Sequence, residues 1–267
     1  MSTTIYYFSA TGNSLKVAKD LQTLLPDCRL ESIAELMRHD RLSADGEMVG
    51  VVFPVYWLGL PVLVKRFLEN LEIAPQTYVF AVNTFGGLNG QSIYQVHELL
   101  QQKGLTLQAG FSVWMPGNGQ TYYPPMPKFI QQMQFKRQEN KTRKIAEFLS
   151  SRKQMTIRPN LHIPEFLFRL YYDGFLRKVA ATDQDFWTDA DCTRCGLCAR
   201  ICPVRNITCT DQAVVWQGRC ECCLACMQWC PSKAIQYKNR PWKKQRYHHP
   251  EIKVNELLDT HSTLKSD

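Results

Sequence analysis

The stretch Cys192-Thr-Arg-Cys195-Gly-Leu-Cys198-Ala-Arg-Ile-Cys202-Pro203 is followed by a second stretch with the same cysteine spacing. The second runs Cys220-Glu-Cys-Cys223-Leu-Ala-Cys226-Met-Gln-Trp-Cys230-Pro231 and begins 28 residues later. Both read Cys-x2-Cys-x2-Cys-x3-Cys-Pro, and Ile207 and Ile235 stand at the same offset. An internal repeat therefore extends beyond the cysteines and determines the fold of this part of the chain.

This spacing is typical of two 4Fe-4S clusters that exchange one ligand between the repeats. Three thiolates on one tight loop hold three irons of a cubane, but the loop cannot curl far enough for the cysteine before the proline to hold the fourth iron. We therefore predict that the fourth ligand comes from the other repeat. The predicted ligands of the first cluster are Cys192, Cys195, Cys198 and Cys230. Those of the second cluster are Cys202, Cys220, Cys223 and Cys226.

Two alternatives for these cysteines fit the pattern less well. Structural zinc sites usually place two Cys-x2-Cys pairs on either side of a longer gap and often include His. Disulfides belong to oxidising compartments, whereas this chain opens on a strand-like segment without the features of a signal peptide. We therefore expect a cytoplasmic protein. Cys28, Cys209 and Cys222 lie outside the pattern and are most simply small apolar residues.

The positive charge is concentrated in one segment. The 267-residue chain has 32 Lys and Arg against 24 Asp and Glu, a formal net charge of +8. Residues 128–180 contain 12 of those cations and 4 of those anions, so this segment carries the whole surplus. The longest apolar run, residues 50–64, is interrupted by two prolines and two glycines, and we expect no transmembrane segment.

Residues 1–151 alternate between strand-like and helical patterns, which is typical of a parallel sheet wrapped by helices. The predicted strands are Ile5–Phe8, Val49–Phe53, Tyr78–Val82, Phe111–Trp114 and a weaker strand near Cys28–Ile33. Helical periodicity spans Leu15 to Leu25, Leu63 to Leu71, Ile93 to Leu100 and Ile145 to Leu149. Five strands in this arrangement predict an α/β, flavodoxin-like parallel sheet, in which ligands bind beyond the carboxyl ends of the strands.

The loop after the first strand, Ser9-Ala10-Thr11-Gly12-Asn13-Ser14, leads directly into the first helix. Gly12 permits a tight turn, the helix N-terminus presents N–H groups, and polar side chains surround the same space. This pattern predicts a phosphate-binding loop. A single terminal phosphate is the better ligand, because the loop lacks the motifs of triphosphatases and of dinucleotide-binding proteins. A capped helix without a ligand is the alternative.

Two further loops follow strands at the same edge of the predicted sheet. Residues 54–61 carry the pair Tyr56-Trp57, which can stack on a flat ring system. Residues 83–90 are rich in glycine and can bring their backbone against the rim of such a ring. Aromatic residues in such a loop are also common in protein cores. The order of the three loops nevertheless favours a flat ligand with a terminal phosphate.

Residues 1 to about 150 resemble flavodoxin, whose Thr-Gly-Asn-Ser/Thr loop binds the phosphate of FMN, and residues 186–237 resemble a two-cluster bacterial ferredoxin of α+β fold. The whole chain resembles the flavodoxin-ferredoxin fusion proteins of anaerobic bacteria, which are regarded as electron carriers. The resemblance implies FMN as the flavin, with its phosphate bound by Ser9, Thr11, Gly12, Asn13 and Ser14. The flavin ring would lie against Tyr56, Trp57, Gly59, Thr84, Phe85, Gly86 and Gly87. Ordinary flavodoxins are acidic, and this module is not, which leaves the identity of its partner open.

The remaining segments have no assigned cofactor. Residues 152–185 are predicted to form a basic aromatic linker whose aromatic residues pack on the protein rather than on a membrane surface. Residues 238–267 are predicted to form a basic, solvated C-terminal tail. Residues 115–125 follow the fifth strand and either cover the cofactor, hold the second module or form an ordinary surface loop.

The leading functional hypothesis is an electron-transfer protein that passes single electrons between two 4Fe-4S clusters and FMN. We expect an acidic redox protein as partner, steered by the basic segment. We expect no nucleic acid as partner, because no recognised binding fold accompanies the basic runs. The alternative is an FMN-dependent reductase of a small oxidised substrate, for which the sequence offers no dinucleotide motif and no convincing acid–base pair. A third possibility is a regulatory module that senses redox state and binds nucleic acid through residues 128–180, which would require salt-dependent binding of DNA or RNA.

Overall fold

The computed structural model describes residues 2–38, 42–44, 46–240 and 244–258, which form two compact units. The first unit comprises Met1–Ser9, Asn13–Gly117 and Met126–Arg177. The second comprises Ala10–Gly12, Asn118–Pro125 and Lys178–Asp267. Two short segments from the N-terminal half of the chain therefore pack with the C-terminal part.

A five-stranded parallel sheet forms the centre of the first unit. The strands of this unit are β1 Thr3–Tyr7, β2 Cys28–Ser32, β3 Leu42–Ser43, β4 Met48–Pro54, β5 Leu71–Glu72, β6 Tyr78–Phe85 and β7 Ala109–Trp114. The large sheet has the order β2-β1-β4-β6-β7 with every neighbouring pair parallel, and β3 pairs with β5 separately. This is the strand order of a flavodoxin-like sheet, so the predicted fold class is confirmed.

Helices cover the sheet of the first unit. They are α1 Asn13–Leu24, α2 Ile33–Leu36, α3 Val62–Asn70, α4 Ser92–Gln102, α5 Lys128–Ser150 and α6 Glu165–Lys178. Because a parallel sheet is buried on both faces, its strands read as continuous apolar runs, and Val49, Val51, Val52 and Phe53 are all fully buried. Among the described helices, none is long and apolar enough to cross a membrane.

The segment predicted as a linker, residues 152–185, does not form a separate element. Helix α6 packs with the first unit up to Arg177, and the 3-10 helix Val179–Asp185 packs with the second. Phe168, Tyr172 and Phe175 are buried, and burial of such an aromatic face stabilises a helix against its own unit. The two compact units divide between Arg177 and Lys178, inside the predicted linker, and the expected packing of aromatic residues on the protein holds for these three.

The second unit is a small α+β structure, as predicted. Its strands are β8 Phe186–Thr188, β9 Ile207–Cys209, β10 Val214–Trp216 and β11 Ile235–Tyr237. Its helices are α7 Leu197–Ile201, α8 Ala225–Gln228 and the 3-10 helices Val179–Asp185 and Val254–Glu256. Phe186, Leu224, Met227, Ile235 and Tyr237 form its apolar core.

The backbone of the second unit repeats itself at the 28-residue offset of the cysteines. Strands β8 and β10, helices α7 and α8, and strands β9 and β11 begin at equivalent positions. Residues with positive φ recur in pairs, which are Arg194 and Cys222, Gly196 and Leu224, and Arg205 and Lys233. The first strand of each repeat pairs in antiparallel fashion with the last strand of the other, β8 with β11 and β10 with β9. The two repeats are therefore interlocked.

The segment predicted as a solvated tail is exposed only in part. Lys238 and Lys244 are exposed, whereas Tyr247, His249 and Ile252 are buried in the second unit. These three side chains are therefore packed in the second unit rather than solvated. Residues 241–243 and 259–267 of the predicted tail lie outside the described residues.

Replacing Gly50 by Ala tests how tightly the sheet of the first unit is packed. Gly50 pairs with Phe80 across β4 and β6, and a Cβ at Gly50 would overlap the buried ring of Phe80. We expect Gly50→Ala to lower the free energy of unfolding by about 1–3 kcal/mol, the usual cost of overpacking, in a denaturant titration. The double variant Gly50→Ala/Phe80→Leu should be less destabilised than the sum of the single variants. Strict additivity would contradict the overlap.

Candidate cofactor sites

Cysteines from both repeats line a first cavity in the second unit. This cavity spans about 320 Å³, including space open to solvent, and its walls include Cys192, Cys195, Cys198 and Cys230. The first three belong to one loop, which turns through positive φ values at Arg194 and Gly196 before α7 begins. The fourth, Cys230, belongs to the other repeat.

The second cavity has the reciprocal composition. It spans about 330 Å³, including space open to solvent, and its four cysteines are Cys202, Cys220, Cys223 and Cys226. Its similar size follows from the backbone repeat. Each of the two cysteine sets that the sequence spacing assigns to a separate cluster thus lines a cavity of its own.

Backbone N–H groups approach the sulfurs at equivalent positions of the two repeats. The Asn206 N–H donates to Cys202 Sγ at 3.2 Å, and the Ala234 N–H donates to Cys230 Sγ at 3.3 Å. Such N–H···S hydrogen bonds help to set the reduction potential of an iron–sulfur cluster. The same backbone turns that bring each fourth cysteine into its cavity therefore also supply its hydrogen bond.

Burial raises the pKa of the cysteine thiols. Desolvation, with a smaller contribution from neighbouring Cys209, raises the pKa of the Cys198 thiol to about 12. Desolvation also raises the pKa values of Cys223 and Cys226 well above the ordinary thiol value. Iron binding at these residues would therefore release protons, because ligation deprotonates a thiol outright.

Two cysteines outside the repeat lie close to these ligand sets. Cys209 lines the first cavity, and its thiol donates to the Arg194 carbonyl at 3.6 Å. Cys223 lines the second cavity, whereas its neighbour Cys222 does not. Among the described residues, no three His, Cys, Asp or Glu side chains converge on one single-ion position. A cubane differs from such a site, because its cysteines ligate different irons.

At the start of α1, the predicted phosphate-binding loop contacts the glycine-rich loop, residues 83–90. Asn13 and Ser14 begin α1, and the Asn13 side-chain amide donates to the Pro116 carbonyl at 2.8 Å. The hydroxyls of Ser14 and Thr84 are 2.8 Å apart. Residues from two predicted ligand loops are therefore in contact at the carboxyl end of the sheet, and Ser9 lies half-buried at the end of the same strand connection.

The loop with the Tyr56-Trp57 pair, residues 54–61 and here named the aromatic loop, forms a strained turn. Reciprocal backbone hydrogen bonds of 3.0 and 2.9 Å join Tyr56 and Gly59. The two central residues, Trp57 and Leu58, have φ values of 49° and 68° although neither is glycine. This left-handed conformation costs roughly 1–2 kcal/mol per residue and is concentrated at functional sites in proteins.

The two aromatic residues of this turn have different environments. Tyr56 is buried, and its ring packs edge-on against Phe8. Trp57 is 40% exposed, with its ring stacked on Phe175 of α6 at a centroid distance of 6.0 Å. Of the predicted pair, Trp57 is thus the residue that presents an aromatic face near the surface.

The glycine-rich loop begins where β6 ends, at Thr84 and Phe85. The Trp114 indole N–H donates to the Gly86 carbonyl at 3.0 Å. The backbone of Gly117 lies so close to Gly86 that a side chain at Gly86 would collide with it. Gly87 is exposed, so the loop presents bare backbone to solvent.

Three residues that contact the predicted ligand loops are not identified by the sequence patterns. The Tyr172 hydroxyl donates to the Leu60 carbonyl at 2.8 Å and so holds the end of the aromatic loop. Trp229 and His249 contact the segment Ala10–Gly12 inside the second unit. These contacts join residues more than 100 positions apart, and no local pattern signals such a pair.

A family model described as a 4Fe-4S binding domain matches residues 186–208. This range is the first repeat, from β8 into β9. No curated protein matches the sequence.

Several solved structures are similar to this chain. A putative flavoprotein from Bacteroides uniformis is 21% identical over 42% of this chain and 90% of its own, with a TM-score of 0.33. A flavodoxin from Streptococcus pneumonia TIGR4 is 14% identical over 57% of this chain and 99% of its own, with a TM-score of 0.37. Rubredoxin oxygen:oxidoreductase from Desulfovibrio gigas is 18% identical over 57% of this chain and 36% of its own, with a TM-score of 0.38. At these low scores the fold assignment rests on the strand order.

One chain therefore combines a flavodoxin-like fold with a ferredoxin-type 4Fe-4S motif. This combination agrees with the resemblance to flavodoxin-ferredoxin fusion proteins. It indicates flavin and iron–sulfur electron transfer.

Proposed function

We propose that this protein passes single electrons between two 4Fe-4S clusters, held by the second unit, and one FMN, bound by the loops that follow β1, β4 and β6. The observation that carries the proposal is the composition of the two cavities, each of which contains one set of four predicted ligands drawn from both repeats. The matched 4Fe-4S motif covers the first repeat only. Support for a second cluster comes from the second repeat, which has the same cysteine spacing and the same backbone turns.

Support for FMN comes from the loops at the carboxyl ends of β1, β4 and β6. Flavodoxin-like sheets bind FMN at the point where the strand order reverses, next to the first strand. The loop after β1 suits one phosphate, and the contact between Ser14 and Thr84 joins it to the glycine-rich loop. The strained turn at Trp57 offers an aromatic face for a flat ring.

When both cofactors are bound to one chain, the flavin would supply two-electron chemistry and each cluster would supply one-electron transfer. The protein's contribution is to bind and orient both and to set their potentials through burial and hydrogen bonds. The N–H groups of Asn206 and Ala234 are donors of this kind, because each points at a cysteine sulfur. A chain with both cofactors can couple one-electron transfer at the clusters to two-electron transfer at the flavin.

We further propose an acidic redox protein as the external partner. The exposed cations of α5 are Lys128, Lys136, Arg137, Lys141, Arg143 and Lys144. The buried residues of the same helix, among them Ile145 and Leu149, pack on the first unit. The cations therefore form one solvent-facing basic surface, and such a surface increases the rate of encounter with an oppositely charged partner.

Replacing Cys202 by Ala tests the exchange of ligands between repeats. We expect the iron content to fall from about eight to about four atoms per chain, because a two-cluster protein would lose one cubane. Cys202→Ala should give the same electron paramagnetic resonance spectrum as Cys220→Ala, and Cys230→Ala the same spectrum as Cys192→Ala. Cys209→Ala is the matched control and should retain both clusters. If Cys202→Ala instead matches Cys192→Ala, the ligand assignment is wrong.

Replacing Ser14 by Glu tests the phosphate site. Two like charges about 4 Å apart near a protein surface repel by about 4 kcal/mol, so FMN binding should weaken by more than roughly tenfold in a fluorescence titration. Thr11→Glu should act in the same direction. Thr23→Glu places the same charge at the exposed far end of α1 and should leave FMN binding unchanged. Equal affinity in Ser14→Glu and the unaltered protein, or a preference for FAD, would refute the site.

Reversing Lys141, Arg143 and Lys144 to Glu tests the partner proposal. Electron transfer with an acidic ferredoxin should slow by roughly tenfold or more at low salt and lose its salt dependence, since steering is screened beyond about 8 Å at physiological ionic strength. Glu139→Lys/Glu147→Lys changes the same helix in the opposite sense and should raise the rate. Cofactor content should stay constant in both variants. Electron-transfer rates that do not change with ionic strength or with either set of substitutions, measured by stopped flow, would exclude docking at this surface.

A further inference from the structure

Two consecutive carbonyls of the segment Ala10–Gly12 accept hydrogen bonds from the C-terminal part of the second unit. The Trp229 indole N–H donates to the Ala10 carbonyl at 2.9 Å. The His249 backbone N–H donates to the Thr11 carbonyl at 2.8 Å. All of these residues belong to the second unit, and both bonds are buried.

These two hydrogen bonds fix the direction of two backbone N–H groups. In a trans peptide, the carbonyl of one residue and the N–H of the next point in opposite directions. Holding the Ala10 carbonyl therefore turns the Thr11 N–H away from Trp229. Holding the Thr11 carbonyl likewise turns the Gly12 N–H away from His249. Both are among the N–H groups that the proposed phosphate site would use.

The residues behind the segment leave it little freedom to move. Residues 247–252, here named the C-terminal strap, pack so closely that a Cβ built on Gly12 would lie 2.9 Å from Ile252 Cβ and 3.0 Å from His249 Cβ. Gly12 also has a φ of 94°, which side chains rarely adopt. The strap is anchored beside Trp229, because the His248 ring stacks on the indole at 4.2 Å.

We infer that Trp229 and the C-terminal strap are positioning elements of the flavin phosphate site. They act on the carbonyl side of Ala10–Gly12 and orient its N–H groups toward a phosphate, without touching the phosphate themselves. The inference rests on the proposed binding of FMN. Trp229 immediately precedes Cys230, so one short stretch of chain serves both the first cysteine cavity and the phosphate-binding segment.

The test compares FMN with riboflavin, which has the same ring but no phosphate, in binding to the full-length Trp229→Phe protein. This substitution keeps an aromatic ring and removes the indole N–H. Loss of one neutral hydrogen bond should weaken FMN binding by roughly fivefold, measured by fluorescence titration, while riboflavin affinity stays unchanged. Trp187→Phe is the matched control, because the Trp187 indole also donates to a backbone carbonyl of this unit, that of Lys238, at 3.0 Å.

The outcomes separate this inference from the functional proposal. The positioning role is supported if Trp229→Phe weakens FMN binding but not riboflavin binding, and Trp187→Phe changes neither. Equal losses of affinity for both flavins, or no loss for either, overturn that role. They do not contradict the proposal that the unaltered protein binds FMN. An unaltered protein that binds neither flavin overturns both the inference and the flavin part of the proposed function.

A second variant guards against a general loss of structure in Trp229→Phe. Ile252→Ala removes packing behind Gly12 without touching the indole, so FMN, but not riboflavin, should dissociate several-fold faster in stopped-flow measurements. Lys253→Ala changes the exposed next residue and should leave both rates unchanged. Identical FMN dissociation rates in Ile252→Ala and the unaltered protein would show that the C-terminal strap does not position the phosphate-binding segment.

Discussion

Neither repeat of the second unit completes its own strand pair or its own set of four cysteines. Strand β8 pairs with β11 and β10 with β9, so each pair takes one strand from each repeat. The cavities follow the same rule, because each combines three cysteines of one repeat with the fourth of the other. Folding of this unit and assembly of its proposed clusters are therefore coupled. The raised thiol pKa values add to this coupling, since metal ligation must displace protons from buried sulfur.

The first unit depends on a different constraint, the reversal of strand order next to β1. At such a point the loops of neighbouring strands diverge and leave a crevice at the carboxyl edge of the sheet. The loops here carry the features that a flavin would require, namely a helix start with hydroxyl groups, bare glycine backbone and an aromatic face. The left-handed conformations of Trp57 and Leu58 are costly, and the hydrogen bond from Tyr172 to Leu60 and the stacking of Phe175 on Trp57 help to maintain them.

Much of this arrangement can be predicted from the sequence, because its determinants are local. The spacing of Cys192 to Cys202 reflects the reach of one loop, and the apolar run at β4 reflects burial on both faces of a sheet. The sequence does not separate Tyr56 from Trp57, because only tertiary packing decides which ring enters the core. The buried roles of Tyr172 and His249 are also unpredictable, since each depends on a partner more than 100 residues away. Basic and aromatic composition made these regions resemble a linker and a solvated tail.

The most direct test is the content of iron, acid-labile sulfide and flavin in protein purified without oxygen. Two 4Fe-4S clusters predict about eight iron and about eight sulfide atoms per chain. A flavodoxin-like site predicts about one FMN, released intact by denaturation. Four iron atoms per chain, zinc in place of iron, or FAD in place of FMN would contradict the account.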